Sequence, residues 1–469
     1  MGHAQMKDYG HSSETIDTYN PATGELHKTY TCHTRDEAEE LIEKTHTAFE
    51  SWKQTSFDDR AKIFNKMAEL LRDNQDEIAL MMTKQMGKAL KDGAGEIELC
   101  ASICEYTAKN ASEILANEER EFSEGTAIIT FQPLGVILAM QPWNFPFYQV
   151  IRYAAANIMA GNTTVMKHAE ICWESAHYIQ DLFEQAGLPK NVFTAIYVQN
   201  ELADSLIEHD KVRGVTLTGS SEAGKIVAKK AGEFLKKTVL ELGGSDPYII
   251  LADADLDLAV KTCVQGRVNN AGQTCVAAKR FIVMDEVYDE FKEKFVDAMK
   301  NTKHGDPMDE ETDFGPMARQ DLRENLHDQV QETIKKGANC LCGGKIPDGK
   351  GYYYPATVLE DIPKDSPAYK DELFGPVASL FRVKTEDEAI ALANDHRYGL
   401  GGGIFSKNTE RAAEIACTQM DTGMICVNGY ALAQPNLPFG GVRESGYGRE
   451  HGGYGMKEFV NIKSVMKIN

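Results

Sequence analysis

Val215-Thr216-Leu217-Thr218-Gly219-Ser220-Ser221-Glu222-Ala223-Gly224-Lys225-Ile226 runs an apolar, β-branched segment into a Gly-Ser turn and on into a helix-forming segment. A strand that ends in such a turn offers free backbone N–H groups and the positive end of a helix dipole to a phosphate. The spacing comes close to a phosphate-binding P-loop, but Ile226 stands where Ser or Thr must hold Mg²⁺, which counts against a nucleotide triphosphatase. The G-x-G-x-x-G fingerprint is absent too, so this turn alone does not establish a nicotinamide dinucleotide.

Outward from the turn, residues 163–166, 192–198 and 214–218 read as strands, and residues 175–185, 201–208 and 222–236 as helices. Strand and helix in alternation predict a parallel, doubly wound sheet. A second series follows, with strands over 248–251, 280–284, 379–383 and 422–427 and helices ending near Asn270 and over 289–300 and 321–336. Upstream, residues 34–117 carry helical periodicity, as in Ala38, Leu41, Ile42, Thr45, Ala48 and Phe49. Residues 122–131 and 135–140 read as extended segments around Gln132-Pro133-Leu134, and 459–469 as an edge strand that needs a partner, another subunit's included.

At 469 residues the chain exceeds a single core, and two or three folding units are expected. Its apolar and charged fractions, 42% and 26%, are those of an ordinary globular protein. A net charge of −21 argues against a nucleic-acid partner, because phosphate backbones need a positive surface. No membrane partner is expected, since no stretch reaches the ~18 apolar residues of a span. Asp8, Glu14 and Asp17 stand where a secretory leader would need a basic start. Ten cysteines without CxxC pairs suggest reduced thiols and a cytoplasmic location, and the histidines show no metal-ligand spacing.

Two further stretches carry chemistry. In Asn270-Ala271-Gly272-Gln273-Thr274-Cys275, turn residues leave a helix and end on a thiol, placing it on irregular backbone that a substrate can approach. Cys275 is then either a small buried hydrophobe, as most cysteines are, or a nucleophile whose surroundings must activate it. In Val239-Leu240-Glu241-Leu242-Gly243-Gly244 a carboxylate sits in an apolar run, where burial raises its pKa toward that of a general base; a strand-terminal Glu reaching solvent is the plainer alternative. Pro142-Trp143-Asn144-Phe145-Pro146 forms a rigid aromatic turn, whose Asn144 amide either caps backbone or donates to a developing oxyanion.

These stretches, with Gly161-Asn162 and Lys167, Thr218-Gly219-Ser220, Glu372-Leu373-Phe374-Gly375-Pro376 and Pro438-Phe439-Gly440-Gly441, taken in order, resemble the aldehyde dehydrogenase superfamily over nearly the whole chain. The resemblance is nearest to its succinate-semialdehyde dehydrogenases. It implies an α/β fold with two doubly wound parallel-sheet domains and β oligomerisation arms. The dinucleotide-binding domain would comprise 1–118 and 142–241, the catalytic domain 242–432, and the arms 119–141 and 433–469, in a homodimer or homotetramer.

The resemblance also implies roles. Cys275 attacks the aldehyde, while the Asn144 amide and the Cys275 N–H hold the oxyanion, and Glu241 activates the water that hydrolyses the thioester. Lys167, which belongs to the catalytic set as well, joins Trp143, Gly219, Ser220, Leu242, Glu372 and Phe374 in holding the cofactor, with Lys167 and Glu372 at its riboses and Phe374 beside the nicotinamide ribose. Glu170 falls beside the adenine ribose, where a carboxylate accepts from free hydroxyls and repels a 2′-phosphate, so NAD is expected over NADP. Arg152, nine residues after Trp143, falls at a substrate-tunnel position and suggests capture of a carboxylate on the far end of the aldehyde, with an internal ion pair to one of the many acids as the plainer alternative. The expected reaction is NAD(P)-linked oxidation of succinate semialdehyde to the acid. The alternatives are broader specificity, other semialdehydes or glyceraldehyde 3-phosphate, and, in another class, a P-loop-like phosphate-binding protein.

Overall fold

A computed structural model of the chain describes residues 14–430 and 433–468. The alternation of apolar runs and amphipathic segments resolves into two mainly parallel sheets. The first orders its strands Gly446–Tyr447, Lys237–Glu241, Val212–Thr218, Val136–Gln141, Thr163–His168 and Phe193–Ile196. All pairings are parallel except that of the two-residue edge Gly446–Tyr447. The chain runs outward from Val136–Gln141 through the next two strands, then returns to lay Val212–Thr218 on the other flank. That reversal makes a topological switch point, the place where open α/β sheets bind ligands beyond their carboxyl ends. The turn carrying Trp143 and Asn144 and the turn carrying Gly219 and Ser220 both leave these two strands.

The second sheet orders Asn339–Cys342, Thr357–Glu360, Val377–Val383, Ala278–Met284, Asp246–Ile250, Gly403–Phe405 and Cys426–Val427, antiparallel only at the first pair. Four helices, Arg35–Trp52, Phe57–Asp73, Gln75–Met86 and Leu90–Ile114, occupy the region of helical periodicity. Thr34 and Glu37 form a reciprocal capping box at the start of the first, as Thr-x-x-Glu predicts. None of the described helices is long and apolar enough to cross a membrane.

One expectation, the bounds of the arm, needs correction. The arm was expected to span 119–141, yet Val136–Gln141 lies in the middle of the first sheet with all six residues buried. A continuous apolar run needs strands on both sides and layers on both faces, which an exposed arm does not provide. The candidate for the arm is instead the separate antiparallel sheet of Glu118–Phe122, Gly125–Pro133 and Val460–Ile468. The terminal strand therefore finds its partner within its own chain, pairing along the whole of Gly125–Pro133.

Candidate active site

The thiol is presented by strained backbone. The helix Leu256–Val268 ends in a short turn in which Asn270, Ala271 and Gly272 have φ of 54°, 55° and 72°. Left-handed backbone costs about 1–2 kcal/mol for each non-glycine residue. Gly272 has no substitute, because a Cβ there would lie 2.3 Å from the Gly375 carbonyl oxygen.

Side chains hold this loop by its carbonyls. Arg267 Nη2 donates to the Gly272 carbonyl at 2.8 Å, and Asn144 Nδ2 to that of Gln273 at 3.1 Å. Asn270 Nδ2 donates to the Asn144 carbonyl at 2.8 Å, while Gln273 Oε1 accepts the Ala318 N–H at 2.9 Å. Lys279 Nζ donates to the carbonyls of Thr274 and Cys275 at 3.0 and 2.7 Å. The turn with Asn144 and the thiol loop thus come from different sheets and are hydrogen-bonded to one another.

Half-buried Cys275 opens into a cavity of about 280 Å³. Phe145, Leu99, Val276 and Phe439 give it apolar walls, and Gln149, Tyr148, Asn269 and Lys91 add polar groups. Burial pushes the thiol up to about 12, against the lowering influence of Arg152 and then Lys279.

Glu241 ends the strand Lys237–Glu241, in register with Thr218, and its carbonyl accepts the Gly219 N–H at 3.0 Å. Its side chain is buried, with no hydrogen-bond partner for either carboxylate oxygen. Burial raises its pKa well above the ordinary value, and Arg152 opposes that rise. A Cβ on Gly440 would meet Glu241 Oε1 at 2.7 Å, so the glycine beside cavity-lining Phe439 makes room for the carboxylate. The solvent-reaching alternative does not apply.

The cofactor candidates gather around the switch point. Trp143 and Phe374 meet edge to face, with ring centroids 5.8 Å apart. Ser220 caps the helix Ser221–Glu233 by accepting the Ala223 N–H at 3.2 Å, and Leu242 packs where a Cβ on Gly224 would stand. Glu372 Oε1 accepts the Gly244 N–H at 3.2 Å, and Oε2 occupies the space that Gly243 leaves by lacking a Cβ. Buried Lys167, near the end of the strand Thr163–His168, lies 3.5 Å from Glu170 in the turn that follows. A helix N-terminus, aromatic walls and a carboxylate facing a glycine pair fit a nicotinamide dinucleotide. Lys225 ion-pairs with Glu444 at 3.0 Å on the exposed side of its helix, away from any P-loop role.

Arg152 departs from expectation. Its guanidinium is fully buried, ion-paired with Glu450, and donates to Thr218 Oγ1 at 3.1 Å and weakly to Tyr148 Oη at 3.4 Å. It stacks over Phe439, 4.6 Å from the ring centroid, and is not among the residues lining the cavity. The expected free clamp for a substrate carboxylate is therefore not formed by Arg152, because a buried cation needs a counterion of its own and Glu450 supplies one. Sequence reasoning missed Glu450, Lys279 and Asp246. A Lys-Arg pair opening the apolar strand Ala278–Met284 was the one local sign.

Residues 9–465 match the model of the aldehyde dehydrogenase family. A succinate-semialdehyde dehydrogenase [NADP(+)] of Deinococcus radiodurans is 44% identical over 448 residues, covering 96% of this chain and 94% of that protein. Among solved structures, succinic semialdehyde dehydrogenase from Streptococcus pyogenes with NADP+ superposes with a TM-score of 0.94 at 40% identity, covering 97% and 100% of the two chains. Betaine aldehyde dehydrogenase from Staphylococcus aureus with NAD+ gives 0.93 at 30% identity, covering 96% and 91%.

Proposed function

The chain belongs to the aldehyde dehydrogenase family, and from that premise we propose that it oxidises succinate semialdehyde to the dicarboxylic acid. The observation that carries the chemistry is the pairing of a thiol at the cavity with a buried carboxylate that has no partner of its own. Cys275, as its thiolate, adds to the aldehyde carbon, and the Asn144 amide and Cys275 N–H receive the negative charge that moves to oxygen. The bound dinucleotide supplies the acceptor for the hydride that leaves this carbon. Glu241 then takes a proton from water as it attacks the thioester, and the acid departs from Cys275 sulfur. Trp143, Lys167, Glu170, Gly219, Ser220, Leu242, Glu372 and Phe374 would hold the dinucleotide.

The substrate's tail needs a new reading, since Arg152 is committed to Glu450. Among the cavity-lining residues the cation is Lys91, exposed at the rim, and the buried Gln149 Nε2 donates only weakly, to Asn144 Oδ1 at 3.5 Å. Burial raises the pKa of Asp92 beside Lys91 above its ordinary value, and Lys88 and Lys91 oppose that rise. We assign carboxylate recognition to Lys91 with the Gln149 amide. In a screen of aldehydes, wild-type kcat/KM for succinate semialdehyde should exceed that for butanal roughly 10-fold or more, and Lys91→Ala should remove most of the difference. Equal use of both aldehydes by the wild type would overturn the assignment to a semialdehyde.

Glu170 supports NAD over NADP in this chain, although the two succinate-semialdehyde dehydrogenases named above carry NADP in their names or structures. A carboxylate near the adenine ribose repels a 2′-phosphate, and its proximity to Lys167 lowers the net positive charge available to that phosphate. Glu170→Ser should shift the NADP-to-NAD ratio of kcat/KM by roughly 10-fold toward NADP. An unchanged ratio would remove Glu170 from the discrimination.

We also propose a homo-oligomer assembled through the arm. Val460–Ile468 is an edge strand on which Ile462, Met466 and Ile468 are 61%, 66% and 72% exposed, an unprotected surface for a lone molecule. A monomer in sedimentation equilibrium would overturn this. A reducing, cytoplasmic setting accords with ten free cysteines.

A further inference from the structure

Beneath the nucleophile lies a buried ammonium that the chemistry above does not use. Lys279 is 3% exposed, and its three N–H groups are all engaged: the Thr274 carbonyl at 3.0 Å, the Cys275 carbonyl at 2.7 Å and Glu372 Oε1 at 3.0 Å. Glu372 Oε1 is shared with the Gly244 N–H. A Cβ on Gly244 would in turn meet the Cys275 carbonyl oxygen at 2.9 Å and Asp246 Oδ1 at 3.0 Å. Lys279, Glu372, Gly244, Asp246 and the backbone of Cys275 therefore form one packed cluster behind the thiol.

A structural strut could be built from less costly parts. Replacing a buried ion pair by well-packed apolar residues is often neutral or stabilising, so a buried pair is weak evidence of a role in stability. Its attested use is to fix one arrangement among several. Here the two ends of the pair differ in kind: one grips the carbonyls of the nucleophile loop, whereas the other is the carboxylate assigned to a cofactor ribose. Asp246 does not compete fully for the ammonium, because burial pushes it up to about 7 and the Gly401 N–H holds its Oδ1 at 3.0 Å.

We propose that Lys279 is a positioning residue that couples occupancy of the dinucleotide site to the state of the nucleophile, through Glu372. This rests on the reading of Glu372 as a ribose ligand. With the site empty, Glu372 offsets the ammonium charge; when ribose hydroxyls engage Glu372, that charge acts more fully on the Cys275 loop and favours the thiolate. Arg152, Lys279, Glu372 and Asp246 act on the thiol, Tyr148 and Tyr430 interact with it in turn, and Lys91, Asp92 and Glu96 line its cavity.

The readout is the pH midpoint of Cys275 alkylation by iodoacetamide, with and without saturating NAD+, which shielding by the ligand does not move. In the wild type NAD+ is expected to lower the midpoint by about one unit. In Lys279→Met and in Lys279→Gln, which keeps two N–H donors, the shift should shrink to less than half, and Lys279→Arg should retain most of it. NAD+ affinity, from quenching of tryptophan fluorescence, should weaken roughly 10-fold in Glu372→Gln. If Lys279→Met does not fold, the Gln variant decides. A full-sized shift in the Gln variant overturns the coupling while leaving the ribose reading intact. Unchanged NAD+ affinity in Glu372→Gln overturns the ribose reading itself, and the coupling with it.

Discussion

Glu241→Gln is expected to reduce one equivalent of dinucleotide per active site in a rapid burst and then to turn over roughly 10²–10⁴-fold more slowly than the wild type. The split follows from which bond each group serves. Cys275 is needed to form the adduct and therefore to release hydride, so Cys275→Ala should show neither burst nor turnover, with kcat down by roughly 10⁴-fold or more. Glu241 is needed afterwards, when water must lose a proton. Glutamine keeps its shape and burial and removes only the base. Stopped-flow absorbance of the reduced nicotinamide, followed by acid quench and detection of acyl-enzyme, separates the steps. A slow enzyme without a burst would mean that Glu241 acts before the thioester, as the base for the thiol.

The same carboxylate sets a pH dependence. Only ionised Glu241 can accept a proton, so deacylation rises with pH. Burial moves its pKa well above the ordinary carboxylate, and Arg152 restrains the rise. The rising limb of kcat in the wild type should lie above the ordinary carboxylate range, near ~4.3, and should be absent from Glu241→Gln.

How far the sequence disclosed these features depended on whether their cause was local. Val136–Gln141 and Thr163–His168 were legible as strands because buried parallel strands are nearly continuous apolar runs. Their boundaries were less legible: the second extends through Lys167 and His168, polar residues that are buried at the end of the sheet nearest the site. Thr357–Glu360 and Gly403–Phe405 were missed, being three or four residues long without alternation. The thiol, the Trp143-Asn144 turn and the Glu-Leu-Gly-Gly segment were legible because each carries its function in consecutive residues. Lys279 and Glu450 were not, since their meaning comes from partners on distant segments. Arg152 was conspicuous yet misread for that same reason: its counterion is not within reach of any local pattern.

Arg152→Met is expected to destabilise the protein by about 3–5 kcal/mol, because it leaves Glu450 buried without its cation. The effect should be visible as a lower urea midpoint of tryptophan fluorescence. Glu450→Gln added to Arg152→Met should recover most of the loss, since a neutral amide is far less costly to bury than an unpaired carboxylate. Catalysis should fall for every aldehyde alike: Arg152 lowers the pKa of both Cys275 and Glu241, and without it the thiolate and the general base both require higher pH. A carboxylate clamp predicts a different pattern, in which stability holds while KM for succinate semialdehyde rises at least ~10-fold more than KM for butanal. That outcome would show the guanidinium exchanging Glu450 for the substrate. Equal losses on both aldehydes, together with a deacylation limb displaced to higher pH, would place Arg152 behind the reaction as the fixed charge that keeps nucleophile and base ionisable within an apolar cavity.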